Sequence, residues 1–232
     1  MRTCAIIAAA GLSERLPGAV PKQFRPVAGR PILGHTLRAF DLCDAVDDVI
    51  VVVPEEHLLY TTEAVVDRFK INKVIKVATG GPTRCESVGN VVRVMKDGWD
   101  IVVVHDGVRP LVTPGLISRC VEECRRSGAV VPAVPTIDAV KRGEGDYVIA
   151  TLDRTKLHLA QTPQAFKLSI LRDSYEKADK KLSFMDDASV VETAGYKVRL
   201  IEGERENIKI TTPIDIEMMK VILALRQEDA RA

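Results

Sequence analysis

The chain has 232 residues, 46% of them hydrophobic and 28% charged, enough to bury one large core. A formal net charge of +1 argues against a nucleic-acid-coating protein, so any anion must be met by local clusters of cations. No apolar run reaches the roughly 18 residues of a membrane span and the N-terminus lacks a secretory pattern, while the five cysteines read as buried free thiols of a cytoplasmic protein.

From the start of the chain, Cys4 to Ala10 is a run of small and aliphatic residues that predicts a buried strand, followed at once by Gly11. A strand that empties into a glycine-containing loop leaves backbone N–H groups where an anion can sit. Arg15 and Lys22 add a planar fork and a compact point charge to that loop. The stretch reads as a polyphosphate cradle, or else as an ordinary strand–turn–helix with solvated cations. It is neither a G-x-x-x-x-G-K-[ST] nor a G-x-G-x-x-G loop.

Helices and strands then alternate. Pro31 opens a helical pattern carrying Ile32, Leu33, Leu37 and Phe40, and residues 49–53 form an unbroken β-branched run. A helix is predicted over 55–69, a short strand over 74–77, and a turn at 79–82. The next helix shows Val88, Val91, Val92 and Met95 on one face. A strand over 101–104 stops at His105-Asp106-Gly107, and Thr113-Pro114 caps a helix reaching Ser127. Residues 129–134 read as a further strand. Strands buried on both faces and separated by helices predict an α/β three-layer sandwich with a mostly parallel sheet. In such sheets ligands bind beyond the carboxyl ends of the strands, where loops 10–22, 79–87 and 105–110 fall.

From 137 to 160 the pattern changes to two short β-prone pieces around Gly143 and Gly145. This predicts a hairpin with little apolar surface of its own, which must lie on its own domain or reach a second subunit. Gln161-Thr162-Pro163-Gln164 follows, then a helix around 168–178, a short helix opened by Asp186-Asp187, and a strand over 196–202. Thr212, Pro213 and Asp215 signal the last helix, with Ile214, Met218, Val221, Ile222 and Leu225 as its expected apolar face. The whole chain is expected to form one domain, with 137–160 as a protruding β-arm.

Cations recur at the predicted strand ends and loops: Arg15, Lys22, Arg84, Arg109, Arg154 and Lys209. Asp106 follows a buried strand and can either hold Mg²⁺ beside phosphates or bond its own turn. No G-x-S-x-G pattern and no helical pair of metal-spaced histidines is present. Cations and glycines without an evident base suit nucleotidyl transfer, which is mostly positioning and charge stabilisation. A phosphate monoester as the attacking group has a second pKa of about 6 and needs no proton removed at neutral pH.

As a set, AAAGLSERL, PKQF, GGPTRCESV, HDGVRP, LDR, QTPQAF, DDAS and EGERENIKITTP resemble the 2-C-methyl-D-erythritol 4-phosphate cytidylyltransferases, over nearly the whole chain. The resemblance implies that CMP passes from CTP to the methylerythritol phosphate, releasing pyrophosphate, with Mg²⁺. It implies that Arg15 and Lys22 stabilise the α-phosphate and leaving group. Ala9, Ala10, Gly11, Gly81 and Ser87 would surround the cytidine, with Asp106 near the ribose and metal and Arg84 on the glycine-pair loop. Arg109 and Thr162 would line the substrate region, and Arg154 and Lys209 would hold the second substrate. The family is a homodimer whose arm enters the neighbouring site, so Arg154 would act across the interface. The chain departs from the family pattern at Ser13, Pro82, Gly107-Val108 and Ala139, the last standing where the arm often carries a threonine. Ribitol 5-phosphate cytidylyltransferases share part of this pattern, and a non-catalytic nucleotide-binding protein on the same fold is a further alternative.

Overall fold

The structure, a computed structural model, describes residues 1–11, 18, 20–179 and 183–229. β1 (Thr3–Ala8) lies at the centre of a sheet, flanked on one side by β4 (Asp48–Val53) and β5 (Val74–Thr79) and on the other by β6 (Ile101–Asp106), all parallel. β11 (Gln164–Lys167) runs antiparallel between β6 and β7 (Ala129–Pro135), and β10 (His158–Ala160) and β12 (Arg199–Glu202) also pair with β7. A small ladder joins β2 (Pro26–Val27) to β3 (Arg30–Pro31).

The two-residue period of the strands decides how the layers form. Ala5, Ile7, Val49, Val51, Val53, Ile101 and Val103 point to one face, against α1 (Ile32–Asp41) and α4 (Pro114–Ser127). Cys4, Ile6, Ile50, Val52, Val102 and Val104 point to the other, against α3 (Arg84–Val94), α5 (Leu168–Lys177) and α6 (Asp187–Thr193). Two cores with one sheet between them make the expected three-layer sandwich. All five thiols are free, Cys85 half-buried and the others buried. No helix among the described residues is long and apolar enough to cross a membrane.

The structure departs from the sequence-based expectations in several places. The predicted helix over 55–69 is wound unevenly: a 3₁₀ turn at Glu55–His57, a short α2 (Leu58–Tyr60), then a π-helix over Thr61–Asp67. β6 continues through His105 and Asp106, so both are strand residues rather than loop residues. β10 and β11 were not anticipated, because three and four residues beside a Thr-Pro-Gln turn carry no period to read. The hairpin does form: β8 (Lys141–Glu144) and β9 (Tyr147–Thr151) make a separate two-stranded sheet with Tyr147 80% exposed.

The largest correction concerns α7 (Pro213–Asp229), where Ile214, Met218, Val221 and Leu225 are exposed rather than buried. Of the expected face only Ile222 points inward, joined by Ile216, Met219 and Leu223 beside Val27, Ile32, Val108 and Leu111. This helix has apolar residues around most of its circumference, so periodicity alone cannot choose the buried stripe.

Candidate active site

Four strand ends converge to build the site. Ala9 N–H donates to Val52 O and Gly107 N–H to Ala8 O, each at 2.8 Å, and Gly80 N–H donates to Val53 O at 2.9 Å. These bonds carry β1, β4, β5 and β6 into one rim, around a cavity of about 350 Å³. Its wall comprises Ala8 to Gly11, Lys22 and Gln23, residues 81–84 with Ser87, and Asp106, Val108 and Lys209. Space at the rim is tight: a Cβ on Gly80 would stand 2.5 Å from Ala10 Cβ, and one on Gly107 would stand 2.8 Å from Ala9 Cβ. The glycine at 107 is therefore required by packing against the first loop in this chain.

Local sequence shapes each wall. Thr83 caps α3, accepting from Glu86 N–H at 3.1 Å while Glu86 Oε2 accepts from Thr83 N–H at 3.0 Å. Ser87 Oγ accepts from Gly81 N–H at 2.9 Å and donates to Thr83 O at 2.8 Å, which closes the glycine-pair loop onto its helix. On the opposite wall Gln23 is buried and its Nε2 donates to Ala9 O at 3.0 Å. That bond and the buried Phe24 anchor the short 3₁₀ turn Lys22–Phe24, so Lys22 projects from a fixed base into the cavity wall.

Asp106 is the electrostatic centre. Its Oδ1 accepts from Arg84 Nε at 2.7 Å, its Oδ2 lies 2.8 Å from Lys209 Nζ, and Arg109 Nε stands 3.6 Å away. Burial alone would raise this carboxyl, but Arg84, Lys209 and Arg109 outweigh it and hold the group far below the usual carboxylate range. Arg84 also donates from Nη1 to Asp187 Oδ2 at 2.6 Å. Burial would lower its guanidinium, and the two carboxylates more than reverse that, raising it well above its ordinary value.

Behind Asp106 runs a buried chain of donors with one consistent direction. Asp106 N–H donates to Thr162 Oγ1 at 3.1 Å, Thr162 Oγ1 meets His105 Nδ1 at 2.9 Å, and His105 Nε2 meets Arg109 O at 3.2 Å. Because a carbonyl only accepts, the imidazole proton sits on Nε2 and the Thr162 hydroxyl donates to Nδ1. Asn207 completes the scaffold, donating from Nδ2 to Thr162 O at 2.7 Å while its backbone carbonyl accepts from Arg109 Nη1 at 2.8 Å. Burial pushes His105 down to about 3, so it stays neutral when folded.

The sign of the consequence is fixed. The unfolded imidazole takes up its proton near pH 6.5 and the folded one does not, so stability is full above that pH and falls on acidification. Between pH 6 and pH 4 this group should contribute a slope of about 1.4 kcal/mol per pH unit. Urea unfolding of wild type and His105→Gln across that range measures it. Equal slopes in the two proteins would show that His105 is not the group responsible.

The sequence-predicted residues separate into four groups. Ala9, Ala10, Gly11, Lys22, Gly81, Arg84, Ser87, Asp106 and Lys209 share the cavity wall. Arg109 and Thr162 stand behind Asp106, holding its side chain and its backbone rather than lining the space. Arg154 lies on the arm, in the 3₁₀ turn after β9, where its Nη1 donates to Ile137 O. Arg15 lies outside the described residues. Sequence reading missed Gln23, Gln161 and Asn207, although each sits inside a motif it had singled out. Gln161 clamps the final loop, its Nε2 donating to Glu204 O at 2.8 Å and its Oε1 accepting from Glu204 N–H at 3.1 Å. The available signal was an uncharged amide inside each of those motifs, and its burial is visible only in the fold.

The chain is similar to known proteins over nearly its whole length. Residues 3–225 match the family model described as IspD: 2-C-methyl-D-erythritol 4-phosphate cytidylyltransferase. A 2-C-methyl-D-erythritol 4-phosphate cytidylyltransferase of Pelotomaculum thermopropionicum is 40% identical, over 97% of this chain and 96% of its own length. The crystal structure of the Thermus thermophilus 2-C-methyl-D-erythritol 4-phosphate cytidylyltransferase is similar with a TM-score of 0.79 and 33% identity, over 97% of this chain and all of that one (100%). That of a 4-diphosphocytidyl-2C-methyl-D-erythritol synthase from Anaerococcus prevotii gives 0.83 and 29% identity, over 96% of both chains.

Proposed function

The chain belongs to the 2-C-methyl-D-erythritol 4-phosphate cytidylyltransferase family, and from that premise we propose how its cavity carries out the reaction. CMP passes from CTP to 2-C-methyl-D-erythritol 4-phosphate: an oxygen of the monoester bonds to the α-phosphorus while the α–β bridge breaks and pyrophosphate leaves. The monoester, with a second pKa of about 6, arrives as a nucleophile already deprotonated. The obstacle is repulsion between two anions, and fixed cations remove it. The observation that carries this reading is the gathering of Lys22, Arg84 and Lys209 on one cavity wall with the backbone of residues 9–11.

In this reading Lys22, with Arg15 from the same loop, neutralises the α-phosphate and leaving pyrophosphate. The cytidine lies along Ala9 to Gly11, Gly81 and Ser87. Lys209 meets the methylerythritol phosphate, and Arg109 and Thr162 keep Asp106 aimed into the space. Among the described residues no three His, Cys, Asp or Glu side chains gather as a metal cage. Asp106 would hold Mg²⁺ beside substrate phosphates once Lys209 leaves Oδ2 for the second substrate, since that ion takes one or two carboxylates together with phosphates. Bound there, the metal would supply further charge neutralisation on the phosphates. Following pyrophosphate release with CTP, Mg²⁺ and a panel of methylerythritol, ribitol and erythritol phosphates tests the reaction. Release with the methylerythritol phosphate alone is expected, and none with any alcohol would refute the reading.

The assembly is a homodimer in the same proposal. A two-stranded hairpin is marginal in water, and this one exposes Tyr147, Val148 and Ile149, with nothing among the described residues to cover them. Packed on a second copy, the arm would bring Arg154 to the partner's methylerythritol phosphate. Mixing Lys22→Ala with Arg154→Ala subunits should then regain activity, since one of the two sites in a hybrid is intact. No regain between subunits shown to exchange would count against shared sites. Free thiols and a nucleoside triphosphate substrate favour the cytoplasm as the compartment.

A further inference from the structure

Two buried residues take no part in the reading above. Asp187 opens α6 and is fully buried, and its two oxygens are engaged separately: Oδ2 by Arg84 Nη1 and Oδ1 by the Tyr175 hydroxyl, each at 2.6 Å. The end of α6 that carries Asp187 is itself clamped, since Gln164 Oε1 accepts from Ala188 N–H at 2.9 Å and Gln164 Nε2 donates to Asp186 Oδ2 at 2.7 Å. Arg84 thus spans two carboxylates, Asp106 on the cavity wall and Asp187 in the core.

A guanidinium facing one carboxylate prefers two parallel N–H···O bonds. Arg84 does not take that arrangement with Asp106: it offers Nε alone, and its Nη2 is buried without a hydrogen-bond partner. Its position is therefore imposed from the far side, where Nη1 is held on Asp187. The result is that Asp106 keeps Oδ2 for Lys209.

We propose that Asp187 and Tyr175 are positioning residues for the nucleotide pocket, acting through Arg84 to fix the orientation of Asp106. Without the Asp187 carboxylate, Arg84 closes onto both oxygens of Asp106 and competes with Lys209 for it. The glycine-pair loop, which leads directly into Arg84 at the start of α3, loses its inner tether at the same time.

The inference depends on the cytidylyltransferase reading. Its test is steady-state kinetics with both substrates, and calorimetric titration of CTP, on folded Asp187→Asn and Tyr175→Phe proteins. Asp187→Asn should raise KM and Kd for CTP tenfold or more, with kcat within threefold and a clearly smaller change in KM for the alcohol phosphate, which Lys209 meets. Tyr175→Phe should move the same constants in the same direction by at least twofold. In an Arg84→Lys background, whose single nitrogen cannot stand in for the separate Nε and Nη1 that hold the two carboxylates, adding Asp187→Asn should cause no further loss. CTP constants within twofold of wild type, equal loss toward both substrates, or additive effects with Arg84→Lys would each overturn it. If Asp187→Asn does not fold, Tyr175→Phe decides alone by the same criteria, because it removes one hydroxyl and keeps the ring. A wild type that releases no pyrophosphate refutes the reaction itself, which separates the two failures.

Discussion

Replacing Lys22 by alanine should lower kcat at least about 10²-fold, the size of effect found when one group stabilising transition-state charge is removed. The fold should survive, because Gln23 and Phe24 anchor this turn. Gln23 holds Ala9 O, and Phe24 lies 5.0 Å from the ring centroids of both His57 and Tyr60. Circular dichroism and thermal unfolding should therefore match wild type while pyrophosphate release collapses. KM for CTP should change much less than kcat, since charge builds on the α-phosphate and leaving group only as the bond breaks. Turnover within threefold of wild type would mean that Lys22 neutralises nothing in the transition state, and the mechanism would lose its main cation.

Exchanging Asp106 for asparagine should have its largest effect on stability. The side chain is 7% exposed and three cations converge on it, so an amide of the same shape leaves Arg84, Lys209 and Arg109 facing one another. Breaking a buried pair from one side costs about 3–5 kcal/mol. For a chain of this length each kcal/mol corresponds to roughly 2–4 °C, so a fall in Tm of about 6–20 °C is expected at neutral pH. The loss should narrow in strong acid. The depressed carboxyl contributes stability that is complete above about pH 4 and disappears as pH falls towards its folded value. A triphosphate should restore part of it, because its oxygens are the anions that the freed cations lack. Equal Tm values for wild type and Asp106→Asn at pH 7 would show that the three cations do not depend on this carboxylate.

The two substitutions probe different parts of one arrangement. Lys22 stands on an element tied down by its neighbours and lines the cavity where a ligand's charge would lie. Asp106 is part of the protein's own charge balance and orients the cations around it. The pairing of Asp106 with Lys209 at 2.8 Å also explains why a lysine near the end of the chain belongs to a site built by the first strand. Residues Ile208 to Ile210 reach that place because Ile210 N–H donates to Val108 O at 2.8 Å, beside the cavity.

The chain by itself determined the layers, the strand-end location of the site and most of its cavity-lining side chains. Continuous β-branched runs such as 49–53 can be buried only on both faces, and that leaves a parallel sheet covered by helices. Motifs at the ends of those runs then had to meet at one edge. Tertiary structure alone decided the rest, and for a common reason: each such feature depends on contacts far apart in the chain. The stripe that α7 buries is chosen by Val27, Ile32, Val108 and Leu111 and not by its own period. The antiparallel strand β11 exists because β6 and β7 leave a place between them for four residues. Arg84 is held between Asp106 and Asp187, separated from it by 22 and 103 positions, and no spacing rule along one dimension could have paired them.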